Sequence, residues 1–180
     1  MDTSGYTRYR PQMQSGDLVS FSGQGIVSKL IQWRTGSIFS HVGMVIVDDR
    51  LDGDERVLLL HSTFKTGVVH LPVSTFLSSF QGKAYWHPLD HGWAAQMNPD
   101  YKLDLLRQAV RLLGRTYDLR GAARFALPFI EQTTMAYFCS ELSATCYQGA
   151  KLWYETWKSP ARMAPVDAVN LPIFQPCVEL

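Results

Sequence analysis

Cysteine is scarce in this chain of 180 residues, and its three cysteines, Cys139, Cys146 and Cys177, do not form a disulfide framework. Their number is odd, and on one helix Cys139 and Cys146 would lie two turns apart, which is too far for a disulfide bond. This usage is typical of a reducing compartment. We therefore expect the protein to be cytoplasmic as synthesised.

The sequence also lacks the segments that mark membrane proteins and nucleic-acid-binding proteins. No apolar run approaches the 18 or more residues of a membrane span, and the N-terminal stretch has no apolar signal core. Lys and Arg total 17 against 16 Asp and Glu, and no basic run exceeds two residues. We expect no integral membrane segment and no nucleic-acid partner, and any export would not use an ordinary signal peptide.

The composition is that of one ordinary globular domain. Apolar residues make up 46% and charged residues 18% of the chain, which excludes wholesale disorder. Residues 1–14 are predicted to be a flexible N-terminal lead, and residues 15–180 a single domain with a substantial core.

The pattern of elements predicts an α+β fold in which an antiparallel sheet packs against helices. Residues 90–100 are predicted to be a loop, and the tail from 151 to 180 an irregular covering. Strands are predicted within 17–23, 40–49, 56–63, 66–73 and 83–89. Helices are predicted within 25–36, 74–80, 100–114, 117–129 and 139–150.

Two of the predicted helices carry apolar residues at helical spacing. In the helix at 100–114 these residues share one face, and Gly114 ends the helix. In the helix at 25–36, glycines stand at both ends. The apolar positions are Leu103, Leu106, Val110 and Leu113 in the first helix, and Ile26, Leu30 and Trp33 in the second.

Two histidines stand at matching ends of a predicted hairpin. His41 begins one strand and His61 lies at the end of the next, so an antiparallel pairing brings them side by side. A shift of one residue in register would send His61 to the other face of the sheet. The alternative is a polar pair at the sheet edge with no catalytic role.

Cys139 stands at the start of a predicted helix. Unsatisfied backbone N–H groups and the helix dipole favour a thiolate at that position. A histidine in hydrogen-bonding reach would complete a Cys–His pair, a second polar group would orient it, and the first N–H groups of the helix would hold an oxyanion. The alternative is core filler, because free cysteine is among the most buried residue types.

Five motifs together resemble a known family: the opening "GDLVSFSG", then "SHVGMV", "LLLHST", "LGRTYD" and "YFCSEL". They are similar to the circularly permuted papain-like amidases of the YaeF/YiiX branch of the NlpC/P60 superfamily. In that branch the histidine strand precedes the cysteine helix, as here. The resemblance implies a circularly permuted papain-like fold, and it covers about residues 15–148.

The resemblance assigns roles to individual residues. It implies that Cys139 is the nucleophile and His41 the general base, and that His61 occupies the third polar position, where this branch commonly has Glu. Tyr117 matches a tyrosine near the nucleophile in related enzymes, although it could equally anchor a loop between two helices.

Other polar residues are assigned structural roles. Asp17 and Glu141 are interpreted as structural, and Asp118 as a helix cap. The three remaining histidines have no partner at an informative spacing, and we expect surface or core positions for them: His70, His87 and His91.

The expected activity is cysteine-dependent hydrolysis of an amide bond through a thioester, with cell-wall or other small peptides as candidate substrates. Three alternatives stay open. The same fold serves lipid acyltransferases and thioesterases; the protein could be a binding protein with an unused pocket; or His41, His61 and Cys139 could bind zinc. We expect no cofactor or metal, and a peptide-like or acylated small molecule as partner.

Overall fold

A computed structural model of the chain describes residues 4–116, 138–153 and 159–180. Its three central strands are rich in apolar residues and are buried at almost every position, which suits a sheet covered on both faces. In chain order the strands are β1 (Leu18–Gly23), β2 (His41–Val47), β3 (Val57–Thr63), β4 (Gly67–Pro72), β5 (Gly82–His87) and β6 (Val178–Glu179).

The helices fall before, between and after these strands. They are α1 (Ser4–Tyr9), α2 (Ile26–Thr35), α3 (Val73–Ser79), α4 (His91–Met97), α5 (Tyr101–Leu112), α6 (Cys139–Gly149) and α7 (Pro165–Val169). The prediction of a loop at 90–100 was wrong, because α4 occupies most of it. The side chain of Asp90 accepts a hydrogen bond from the backbone N–H of Trp93 at 2.9 Å and so caps α4.

The described strands form one six-stranded sheet in the order β4-β3-β2-β1-β5-β6, and every pairing is antiparallel. Neighbouring residues on a strand point to opposite faces, so each strand contributes to two cores. One core, which we call the α6 layer, contains Val42, Met44 and Cys139. The other, which we call the α3 layer, contains Phe21 and Val45. The predicted α+β class is confirmed.

The N-terminal segment differs from the expected flexible lead. Residues from Ser4 to Gln12 form α1 and a turn of 3-10 helix. Tyr6 and Met13 are buried in the α3 layer, and a side chain at Gly5 would collide with the backbone of Leu180. Apolar burial and a close backbone contact therefore hold this segment against the C-terminus.

The exposed faces of α5 and α2 also differ from expectation. In α5 the apolar positions Leu103, Leu106 and Val110 are exposed. The helix instead buries Tyr101, Leu105, Ala109 and Leu112. All ten residues of α2 are described, and none of them is buried. Within the described ranges, no helix is both long and apolar enough to cross a bilayer.

Candidate active site

The predicted pairing of His41 with His61 is present. Register in the hairpin aligns Met44 of β2 with Leu60 of β3, so His41 and His61 lie diagonally across the two strands on one face. Nε2 of His41 lies 3.3 Å from Nδ1 of His61. The hydrogen bond between them fixes Nε2 of His41 and leaves its Nδ1 for another partner.

Aromatic side chains of the α3 layer enclose the two imidazoles. Phe76 of α3 stacks on His41 with ring centroids 5.8 Å apart, and its ring lies edge-on to His61 at 4.8 Å. Phe21 of β1 also contacts His41 at 5.6 Å. Sequence reasoning missed Phe76, although a phenylalanine in the short helix directly after β4 is a usable signal.

This apolar enclosure keeps both histidines neutral. Burial lowers the pKa of His41 to about 3, and the neighbouring His61 acts in the same direction. Burial likewise lowers the pKa of His61 to about 4. Nε2 of His61 is buried and has no hydrogen-bond partner among the described residues. His41 is half-buried and His61 is buried, and because this environment disfavours the charged form, both rings are neutral at neutral pH.

Cys139 is the first residue of α6, as predicted. Its neighbour Phe138 donates its backbone N–H to Oε2 of Glu141 at 3.3 Å, a contact that fixes the first turn of the helix. The hydroxyl of Ser140 donates to the carbonyl of Met163 at 2.5 Å. Glu141 thus has the structural role expected of it, and two local hydrogen bonds hold the start of α6.

Burial of Cys139 acts against the expected thiolate. Burial raises the pKa of Cys139 to about 12, although hydrogen bonds from the backbone of Val42, Ser140 and Cys139 act in the opposite direction. The helix terminus therefore supplies the expected donors, but the loss of water outweighs them. Burial therefore favours the thiol form of Cys139 at neutral pH.

The sulfur and the imidazoles lie on opposite sides of β2. Cys139 packs in the α6 layer with Val42, whereas the ring of His41 contacts the α3 layer. Among the described residues no hydrogen bond joins Sγ of Cys139 to His41, so the expected Cys–His contact is not made. Sγ nevertheless lies near the backbone of Val42, the residue that follows His41, and that backbone favours the thiolate.

The remaining candidate residues are separate from this site. Tyr117 and Asp118 lie outside the described residues, as does the predicted helical segment 117–129. Asp17 has the structural role expected of it: its buried carboxylate accepts hydrogen bonds from Trp86 Nε1 and from the backbone N–H of Leu89, each at 2.9 Å, and lies 2.9 Å from Nε2 of His91.

His70 and His87 also lie in positions that fit a structural role. His70 is exposed on β4. His87 is buried on β5, and its Nε2 lies 2.8 Å from the hydroxyl oxygen of Ser20. Both histidines therefore match the surface or core positions expected of them.

A cavity of about 500 Å³ lies towards the other end of β2. Its lining is mostly apolar and includes Ile46, Leu60, Leu106 and Val110. Ile46 is four residues beyond Val42, or about 13 Å along the strand. The cavity is thus distinct from the position of the sulfur and the histidines.

Comparisons with known proteins match this fold and these motifs. A family model described as "Permuted papain-like amidase enzyme, YaeF/YiiX, C92 family" matches residues 12–163. The crystal structure of metalloprotein yiiX from Escherichia coli O157:H7 superposes with a TM-score of 0.66 at 19% identity, covering 93% of this chain and 97% of that one. No curated protein matched the sequence. The predicted permuted papain-like fold is confirmed.

Proposed function

The chain belongs to the YaeF/YiiX family of permuted papain-like amidases, and on that premise we propose that it cleaves an amide bond through a thioester on Cys139. The observation that carries the proposal is the placement of a thiol at the first residue of α6, within a set of backbone donors from Val42, Ser140 and Cys139. Val42, a member of this set, directly follows His41 in β2. His41 and His61 form a pair of neutral imidazoles.

His41 is proposed as the base that activates the thiol. Its Nε2 is engaged by His61, so Nδ1 is the atom that would take the proton from Sγ. That transfer needs the imidazole to approach the sulfur. Because the side chain of His41 leaves β2 on the face opposite α6, a change of rotamer alone is not sufficient, and the transfer also requires a movement of the backbone at the start of β2.

The proposed reaction then follows the chemistry of a cysteine hydrolase. The thiolate attacks the carbonyl carbon, and N–H groups at the start of α6 hold the oxyanion. Protonated His41 gives its proton to the leaving amine as the C–N bond breaks, which leaves a thioester. Water, deprotonated by His41, attacks the thioester and releases the acid and the thiol.

His61 is proposed as a positioning residue. When His41 becomes an imidazolium, its Nε2–H donates to Nδ1 of His61, which must then carry its own proton on Nε2. No described residue accepts from that Nε2. We therefore expect His61 to orient His41 strongly but to stabilise its charge less than a carboxylate would.

Metal chemistry is not part of the proposal, although the superposed yiiX is described as a metalloprotein. Within residues 4–116, 138–153 and 159–180, no group of three or more His, Cys, Asp or Glu residues is placed to hold a metal ion. Those residues do not supply the three protein ligands that a catalytic zinc requires.

The test is hydrolysis of a small panel of aminoacyl amides, muropeptides and lipid esters by the purified chain. We expect turnover of an amide, and a loss of at least about 10³-fold in kcat/KM on Cys139→Ser and on His41→Ala. Cys177→Ser is the matched control, because Cys177 is exposed, and it should retain full activity.

Other outcomes distinguish the alternatives. Turnover confined to lipid esters would replace the amidase with a thioesterase or acyltransferase. Activity that survives Cys139→Ser, or no turnover of any substrate by a folded protein, would contradict the proposed chemistry and favour a binding protein.

A further inference from the structure

Helix α2 has the reverse of the usual arrangement for a surface helix. Its outward face is apolar: the exposed fractions of Ile26, Val27 and Trp33 are 90%, 71% and 78%, and Leu30 is also exposed. A surface helix normally turns such a face towards the core. Just beyond the helix, Ile38 is also exposed. We call these five residues the α2 face.

The inward side of α2 is small and polar. Ser28 packs against Gly23, where any side chain would collide with it. The side-chain amide of Gln32 donates to the carbonyl of Gly23 at 3.1 Å and to that of Ile38 at 2.8 Å. Only Ile31 adds apolar contact, packing half-buried against the α6 layer. Hydrogen bonds and close packing thus hold the helix with its apolar residues facing solvent.

The stretch of chain that carries the α2 face contains a cation and no acidic residue. Lys29 is exposed on the helix. No Asp or Glu occurs between Asp17 and Asp48. A contiguous apolar surface of this kind marks an interaction site rather than ordinary surface. Its partner should be apolar and anionic.

We propose that the α2 face docks on an anionic lipid surface. A tryptophan with aliphatic neighbours and a flanking cation is the composition of helices that lie in the membrane interface. At ten residues α2 is about 15 Å long, too short to cross a bilayer but long enough to lie along one. A second copy packed on this face would instead bring two Lys29 ammonium groups into one interface.

The consequence concerns where the site lies. Residues 36–40 alone separate α2 from His41, and five residues span at most about 20 Å. Docking through α2 would therefore keep the histidine end of β2 within that distance of the lipid surface. The inference does not depend on whether Cys139 is catalytic.

Sedimentation of the full chain with sucrose-loaded vesicles tests the proposal. We expect binding to vesicles of phosphatidylcholine and phosphatidylserine at 3:1, and weaker binding to phosphatidylcholine alone or at high salt. The double variant Ile26→Gln/Trp33→Gln should lower the partition coefficient at least about tenfold. The matched control Val110→Gln, an exposed apolar helix residue elsewhere, should change it less than twofold.

A second measurement guards against a misfolded variant. Brominated lipid should quench part of the tryptophan fluorescence of the unmodified chain, and Trp33→Phe should remove that part. The proposal is overturned if the unmodified chain does not bind the anionic vesicles, or if Val110→Gln loses as much binding as the double variant. It is also overturned if equilibrium sedimentation finds a dimer that the double variant dissociates, which would assign the α2 face to self-association.

Discussion

Helix α6 buries polar residues, whereas helix α2 exposes apolar ones. Ser140, Glu141 and Ser143 of α6 are all buried, and each makes a hydrogen bond near the start of the helix. Ile26 and Trp33 of α2 face solvent, although either could fill a core. In both helices, therefore, residues occupy positions opposite to those that their polarity usually favours.

The difference between the helices indicates two kinds of task. Buried polar groups with partners hold a backbone precisely, and α6 uses them to fix the donors around Sγ of Cys139. Exposed apolar residues contribute little to folding, so their presence on α2 needs another reason, and a partner surface supplies one. Three measurements would break or sharpen this comparison.

The largest expected effect concerns the thiol at the start of α6. A pKa of about 12 for Cys139 means that only about one sulfur in 10⁴ is a thiolate at pH 8, against about a quarter for an ordinary cysteine. Without substrate, iodoacetamide should alkylate Cys139 at least about 10³-fold more slowly than a model peptide thiol. Peptide mass spectrometry after timed quenching measures this rate, with exposed Cys177 as the internal reference.

Rapid alkylation of Cys139 in the free protein would contradict the burial argument. It would mean that the sulfur and His41 already form an ion pair at rest. In that case His41→Ala should abolish the rapid reaction, which separates an ion pair from simple exposure.

The next effect compares one leucine from each helix. Leu142 of α6 is fully buried, so Leu142→Ala should lower the free energy of unfolding by about 2–5 kcal/mol. Leu30 of α2 is exposed, and Leu30→Ala should change it by less than about 0.5 kcal/mol. Urea unfolding followed by circular dichroism measures both. Equal losses would show that the α2 face is covered within the chain.

The smallest effect extends the comparison to the sheet beneath α2. Burial lowers the pKa of His87 to about 4, and its Nε2 lies 2.8 Å from the hydroxyl of Ser20. A depressed pKa in the folded state means that the unfolded chain binds the proton first as the pH falls below about 6.5. The stability that His87 contributes is therefore present above that pH and is lost as the pH falls towards 4.

The matching measurement is urea unfolding of the parent and of His87→Gln at pH 6.5 and pH 5.5. Between these two pH values the free energy of unfolding of the parent should fall by about 1 kcal/mol more than that of the variant. An equal loss in both would indicate that the imidazole of His87 is solvated in the folded protein.

Much of the fold was predictable because its signals are local. The apolar runs in 40–49 and 56–63 and the polar turn between them predicted β2, β3 and the hairpin that pairs His41 with His61. The same reasoning failed at 90–100, where Asp90 caps α4. That signal was available, since Asp is a preferred cap residue.

The candidate site was only partly predictable. Sequence placed Cys139 at the start of a helix, and the resemblance supplied its partners, but neither revealed that its sulfur and the ring of His41 pack in different layers. Periodicity predicts which residues of a strand share a face, and it does not predict which helix covers that face. The stacking of Phe76 on His41 depends on such a tertiary choice.

The sequence by itself determined five of the six described strands, the hairpin that joins the two histidines and the start of the cysteine helix. These follow from the spacing of residues near one another in the chain, whereas the family was indicated by the resemblance of its motifs. Only the tertiary structure decided that the thiol is protonated, that both imidazoles are neutral, and that α2 presents its apolar side outward. These properties depend on how much water reaches a group, and packing between distant segments sets that.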